Sequence, residues 1–290
     1  MPDFLDAHLV SIFNGLAIGM LLFAMAVGLS LIFGLMDVLN LAHGAVFLLG
    51  GYMAFDVLRS GHGFLLAVLA ALAVGSVVGV GLAAALRPLA RRGHLDQALL
   101  TLGFAFILAE IAALVWGRGF KPVATPEFLA GSVELLGHTY PKYRIGVIVV
   151  GLVLAGLVYV IFERTQLGAV VRAAVEDRAM VSALGIDVGK VTVVVLALGS
   201  ALAAFGGVVA APILSIRPGL DWEVLILALI VVVIGGLGSI KGAFVGALLI
   251  GQVQSLGVAL VPQGAAFAVF GAMALVLIFR PEGLFGDATS

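Results

Sequence analysis

The chain has no cysteine, so it has neither a disulfide framework nor a thiolate metal site. Charge is scarce as well. Asp, Glu, Lys and Arg make up 11% of 290 residues, against 63% hydrophobic residues and a mean hydropathy of +1.26. So little polar surface cannot dress a soluble globule, and the composition places the chain in a bilayer, with membrane lipid as its surroundings. A net charge of −1 leaves no cationic stripe to neutralise phosphates, which argues against a nucleic-acid partner.

Complete catalytic constellations are missing too. His8, His43, His62, His94 and His138 are scattered, without a His-Glu-x-x-His zinc pair, and no Gly-x-Ser-x-Gly elbow occurs. The nearest approach to a phosphate loop, Gly185-Ile186-Asp187-Val188-Gly189-Lys190-Val191, has the wrong glycine spacing and Val where the magnesium-binding Ser or Thr belongs. No catalytic or metal-ligating residue is assigned, and any ATP-driven work must be done by another subunit.

What the chain has is length of apolar sequence. A membrane-crossing helix needs about 20 mostly apolar residues. Such runs cover Leu9 to Met36, Val38 to Phe55, Phe64 to Leu86, Ala98 to Trp116, Ile145 to Phe162, Val191 to Ile216 and Val224 to Ile240. An eighth run, Gly242 to Phe279, is too long for one span and is interrupted at Pro262-Gln263-Gly264. The expected fold is therefore an all-α, polytopic membrane protein, a single transmembrane domain over residues 1–290, with eight or nine crossings. The first run has no Lys or Arg before it, the earliest being Arg59, and reads as a retained span, not a signal peptide.

Basic residues of short loops favour the cytoplasmic side. Arg87, Arg91, Arg92, Lys241 and Arg280 are placed there, together with a charged island from Glu163 to Lys190 that carries eight charged residues. The N-terminus, with Asp3 and Asp6, then lies outside, as does residues 117–143, which Pro122, Pro126 and Pro141 keep from forming a regular helix. That outer stretch reads either as a solvated connector or as a platform for an external binding protein. Within the island, Asp177 suits the N-cap of a short helix over Arg178 to Leu184, with Met180 and Leu184 on one face, and Gly185 suits the left-handed residue after it. Residues 163–190 read as a docking loop for a soluble partner or as an ordinary amphipathic connector.

Polar residues inside the apolar runs are the candidates for a transport path. Asn40 and His43, with Gly44, interrupt the first two runs; in hydrocarbon such groups need partners, and non-helical stretches at depth line protein-buried or watery cavities. They either cap a tight turn at the membrane face or mark a broken second helix bordering the path. Glu110 lies two-thirds along the fourth run, where a helix-helix hydrogen bond or a protonated buried carboxyl competes with a substrate contact. Thr101, two to three turns earlier, is polar enough to sit near the same path. Gly238, Gly242 and Gly246 recur every four residues, predicting one close-packed helix face. The stretch Lys241-Gly242-Ala243-Phe244-Val245-Gly246 faintly echoes His43-Gly44-Ala45-Val46-Phe47, which suggests a parallel internal repeat.

Three segments in order, Leu39-Asn40-Leu41-Ala42-His43-Gly44, Arg172-Ala173-Ala174-Val175-Glu176-Asp177 with Gly185-Ile186, and Gly235-Gly236-Leu237-Gly238-Ser239-Ile240-Lys241-Gly242-Ala243, resemble the LivH-type permease subunit of bacterial branched-chain amino-acid ABC importers. The His-Gly pair resembles that subunit and not its LivM-like companion. The resemblance implies a pore half in the bacterial inner membrane, paired with a LivM-like permease, two cytoplasmic ATPases that bind ATP and Mg, and a periplasmic solute-binding protein. It implies a coupling role for Arg172, Glu176, Asp177, Arg178, Gly185 and Asp187, and a path for a small polar solute past Asn40, His43, Gly44, Thr101 and Glu110. Glu110 departs from the amide expected at its place. The rival reading is an ATP-independent secondary transporter or channel with Glu110 and His43 as a proton relay; an intramembrane enzyme is a more distant third.

Overall fold

The computed structural model describes residues 2–89, 92–135 and 137–286, with side chains from residue 8 onward. Arg91 of the expected basic loop and the side chains of Asp3 and Asp6 lie outside the described residues. The apolar runs fold as α1 (Pro2–Met36), α2 (His43–Arg59), α3 (Phe64–Leu86), α4 (His94–Trp116), α5 (Lys142–Arg164), α8 (Val188–Leu214), α9 (Leu220–Gly235), α10 (Ile240–Leu260) and α11 (Ala265–Phe279). Two short helices, α6 (Gln166–Glu176) and α7 (Arg178–Ala183), fill the charged island. The expected interruption is a single 3-10 turn, Pro262–Gly264, between α10 and α11. Among the described residues seven helical stretches have the length and composition of a span, α11 being counted with the preceding 3-10 turn as Pro262–Phe279. The exceptions, α2 and α9, have 17 and 16 residues, about 26 and 24 Å, which is short of the roughly 30 Å hydrocarbon core.

The helix ends fall on two faces. On one, His94 Nε2 lies 3.7 Å from Asp37, Lys241 Nζ lies 3.6 Å from Glu163, and Arg178 donates to the Leu35 carbonyl at the end of α1. On the other, Trp116 donates to Asp56 at 2.6 Å, and Ser255 and Gln252 of α10 donate to the Ser11 and Ile12 carbonyls of α1. Successive long helices therefore alternate in direction between the two faces. Residues 117–141 cross the second face as a short 3-10 turn (Glu127–Leu129) and an antiparallel hairpin, β1 (Ser132–Leu135) with β2 (His138–Pro141). They are pinned by a two-way backbone bridge, Lys121 to Ile216, at 2.8 and 3.1 Å.

The buried helices α1 and α8 cross at the centre, where Gly28 and Gly199 let the backbones touch: a methyl on Gly28 would sit 2.5 Å from the Gly199 carbonyl oxygen. Around this crossing α10 packs on α1 as α3 packs on α8, and α9 packs on α1 as α2 packs on α8. Both central helices also end alike. Asp37 follows α1 and Ser215 follows α8, and they share a left-handed φ of 52°, the only positive φ values outside glycine among the described residues. Since α1 runs toward the face that α8 leaves, α1–α4 and α8–α11 form an inverted pair. This corrects the expected parallel repeat: the echo between His43–Phe47 and the start of α10 joins positions that are not equivalent in the packing.

Candidate functional site

After Asp37 the backbone climbs back into the protein without helical structure until His43. His43 Nε2 donates to the Met25 carbonyl at 3.0 Å, and Met25 lies three turns, about 17 Å, before the end of α1. The ascent is marked along α4, whose first residue, His94, lies beside Asp37 and whose Thr101 bonds Leu39 and Leu41. The second helix is thus half a helix that starts deep inside, which corresponds to the broken-helix reading and not to a cap at the membrane face.

Thr101 holds this segment. Leu41 N–H donates to Thr101 Oγ1 at 3.1 Å, and the Thr101 hydroxyl faces the carbonyls of Leu39 (3.2 Å) and Ala98 (2.9 Å). Asn40 Oδ1 accepts from Ala42 N–H at 3.2 Å, closing a turn that is completed by His43 N–H on the Asn40 carbonyl. Asn40, His43 and Thr101 are all buried. Two of their polar atoms have no partner among the described residues, Asn40 Nδ2 and His43 Nδ1. Because a carbonyl can only accept, Nε2 of His43 carries the hydrogen and the free Nδ1 is an acceptor. One unpaired donor and one unpaired acceptor, three residues apart on an unwound segment, are costly unless something else uses them.

The other half-helix meets this one. Gly44 abuts the Asp221 carbonyl, and a methyl there would also sit 3.0 Å from Leu225 Cβ, so Gly44 serves the contact of α2 with α9. Asp221, in the first turn of α9, is buried, and the hydroxyls of Tyr52 and Ser200 are buried without partners. Sequence reasoning passed over all three. Asp221 stands between Arg217 and Glu223, which form a bidentate pair at 2.8 and 2.7 Å, and reads as part of a polar connector.

Glu110 is not part of this cluster. It lies on the outward side of α4, 57% exposed, in a bidentate pair with Arg118 at 2.8 and 3.0 Å. Its partner comes from its own segment, just past the helix end, which corrects the expectation of a buried carboxyl or an interhelical bond. Of the expected glycine face, Gly242 and Gly246 pack closely on one helix, and only Gly238 departs from it. Gly242 abuts the Gly235 carbonyl, and a methyl on Gly246 would sit 2.7 Å from the Val231 carbonyl, both on α9. Gly238 precedes the helix, with φ of 81°, and faces Gly34 of α1.

In the charged island, Thr165 caps α6, Asp177 caps α7 by accepting from Met180 N–H at 2.9 Å, and Asp187 caps α8 by accepting from Lys190 N–H at 3.2 Å. Gly185 turns the chain at φ of 82°. Arg172 donates to the Phe162 carbonyl and lies 3.9 Å from Glu163, while Arg178 reaches the end of α1. These residues shape and tether the loop. Glu176 remains exposed, beside a surface of Val175 (49% exposed), Met180 (59%) and Leu184 (72%).

A polytopic helical membrane protein with unwound backbone and polar side chains at depth has the architecture of a transport permease. The chain belongs to the family described as branched-chain amino acid transport system, permease component, whose profile matches residues 11–279. It is 32% identical to the high-affinity branched-chain amino acid transport system permease protein BraD of Pseudomonas aeruginosa, over 99% of this chain and 98% of that one. It is 29% identical to the corresponding LivH protein of Escherichia coli, over 96% and 95% of the two chains. Its fold is similar to a chain of PsaBC from Streptococcus pneumoniae, solved in complex with a Fab, with a TM-score of 0.53 and 13% identity over 98% of both chains. These relatives support the permease reading over the ATP-independent alternative.

Proposed function

We propose that this chain forms half of the translocation path of an ATP-driven importer for branched-chain or related amino acids, in the bacterial inner membrane. Its partners are a LivM-like permease, two cytoplasmic ATPases that bind ATP and Mg, and a periplasmic solute-binding protein. The observation that carries the reading is the Arg178 link. It joins the capped knob of the charged island to the last turn of α1, immediately before the unwound segment that holds Asn40 and His43. A push on α7 by an ATPase is thereby delivered to the backbone that borders the path, and the basic face is the cytoplasmic one.

The path itself is the junction of the two half-helices. Their N-terminal ends meet at Gly44 and Asp221; the partial positive charge at the start of α2 favours a carboxylate, while the start of α9 already carries that of Asp221. The free Asn40 Nδ2 adds a donor for the same group and the free His43 Nδ1 an acceptor for an ammonium. Residues 117–143, on the opposite face, serve as the platform for the solute-binding protein. The test is a double variant of the knob, Glu176→Lys with Gly185→Trp, in cells carrying the full system. Uptake is expected to be abolished with the permease still present in the membrane; normal ATP-driven uptake would refute the coupling role.

A further inference from the structure

A second polar feature lies apart from the half-helix junction. A cavity of about 290 Å³ opens on the basic face between the ends of α1, α3, α4 and α8. Its lining carries three guanidinium groups, Arg87, Arg92 and Arg178, together with His94, Gln97 and Thr192, and no carboxylate is part of it. Among the described residues, Arg87 and Arg92 make no ion pair, and Arg178 spends one donor on the Leu35 carbonyl. Asp37 stands outside the lining, 3.7 Å from His94, and Asp187 is engaged as the α8 cap and with Lys190 at 3.7 Å. The lining also has an apolar part, Met36, Ala83, Leu86 and Val193.

Converging like charges repel one another unless an anion joins them, and the planar fork of Arg matches the oxygens of a phosphate. We propose that this cavity binds a phosphate group, supplied by the headgroup of an anionic phospholipid. The apolar part of the lining favours the lipid over a free ion, because the first methylenes of an acyl chain can lie against Met36 and Val193 while the phosphate meets the arginines. The site shares Arg178 with the proposed coupling route, but its test reads lipid and not uptake, and it does not depend on which side of the membrane the basic face occupies, since phospholipid is present in both leaflets.

The test uses the full chain purified into nanodiscs of phosphatidylcholine, with and without phosphatidylglycerol, and reads retained lipid by native mass spectrometry. The wild type is expected to enrich phosphatidylglycerol. The double variant Arg87→Ala with Arg92→Ala is expected to lose about tenfold in that enrichment, while Arg118→Ala, on the opposite face, keeps it. Inorganic phosphate, titrated into phosphatidylcholine nanodiscs while thermal stability is followed, is the second arm. Stabilisation of the wild type and not of the double variant, without phosphatidylglycerol enrichment, would retain the phosphate site and overturn the lipid as its source. Thr192→Glu places a carboxylate in the cavity without removing an arginine, which covers the case in which the double variant fails to fold. If Thr192→Glu or the double variant holds phosphatidylglycerol and phosphate as the wild type does, the proposal is wrong.

Discussion

Thr101 anchors the unwound segment to α4 at depth, through Leu41 N–H and the Leu39 carbonyl. Thr101→Val keeps the shape and leaves that N–H unpaired, so it should destabilise the protein by about 1–3 kcal/mol, seen as a lower melting temperature in detergent; Thr101→Ser should restore most of it. Asn40→Ala removes both the turn acceptor and the free Nδ2, and uptake should fall by at least about tenfold with membrane levels unchanged. Glu110→Gln, which loses only an exposed pair, should leave uptake within about twofold. Asn40 and His43 were legible in the sequence because polar groups stand out in an apolar run. Tyr52 and Ser200 were not, since a tyrosine or a serine among small apolar residues is equally at home in plain packing, and only the fold shows that their hydroxyls lack partners. The partner of Glu110 was illegible for a different reason: Arg118 follows the helix and reads as part of a loop.

At the scale of elements, α7 is six residues long and stands only because its ends are fixed. Asp177→Ala should cost about 1 kcal/mol through loss of the cap, and Gly185→Ala about as much again through the left-handed backbone it must adopt. Limited proteolysis of membranes should then cut between residues 177 and 187 sooner than in the wild type. Arg178→Ala should separate the two ends of the coupling route: the knob stays folded and the ATPases still dock, yet solute no longer stimulates their hydrolysis. The capped knob and the interruption at Pro262 could be read from local chemistry, namely Asp before a short helix, Gly after it, and Pro in an apolar run. The half-helices could not. Their short length follows from where α1 and α8 end in depth, which depends on contacts such as His43 with Met25. The inverted pairing escaped notice because two segments of opposite direction share a packing order and not a run of similar residues.

For the whole molecule, the arrangement of cations is the simplest statement of orientation. Arg87, Arg92, Arg164, Arg172, Arg178, Lys190, Lys241 and Arg280 gather at one face, and Arg59, Arg118, Lys121, Lys142, Arg144 and Arg217 at the other. That imbalance is small, and the coupling account stands on it, because an ATPase can push only from the cytoplasm. The chain lacks cysteine, so single cysteines introduced at exposed sites report without background. The decisive measurement is labelling of Met180→Cys, on the knob, and Phe128→Cys, 73% exposed on the opposite face, with a membrane-impermeant maleimide in spheroplasts and in inside-out vesicles. Met180→Cys should react in inside-out vesicles only, and Phe128→Cys in spheroplasts only. Reaction of Met180→Cys in intact spheroplasts would put the knob on the periplasmic side and contradict the account.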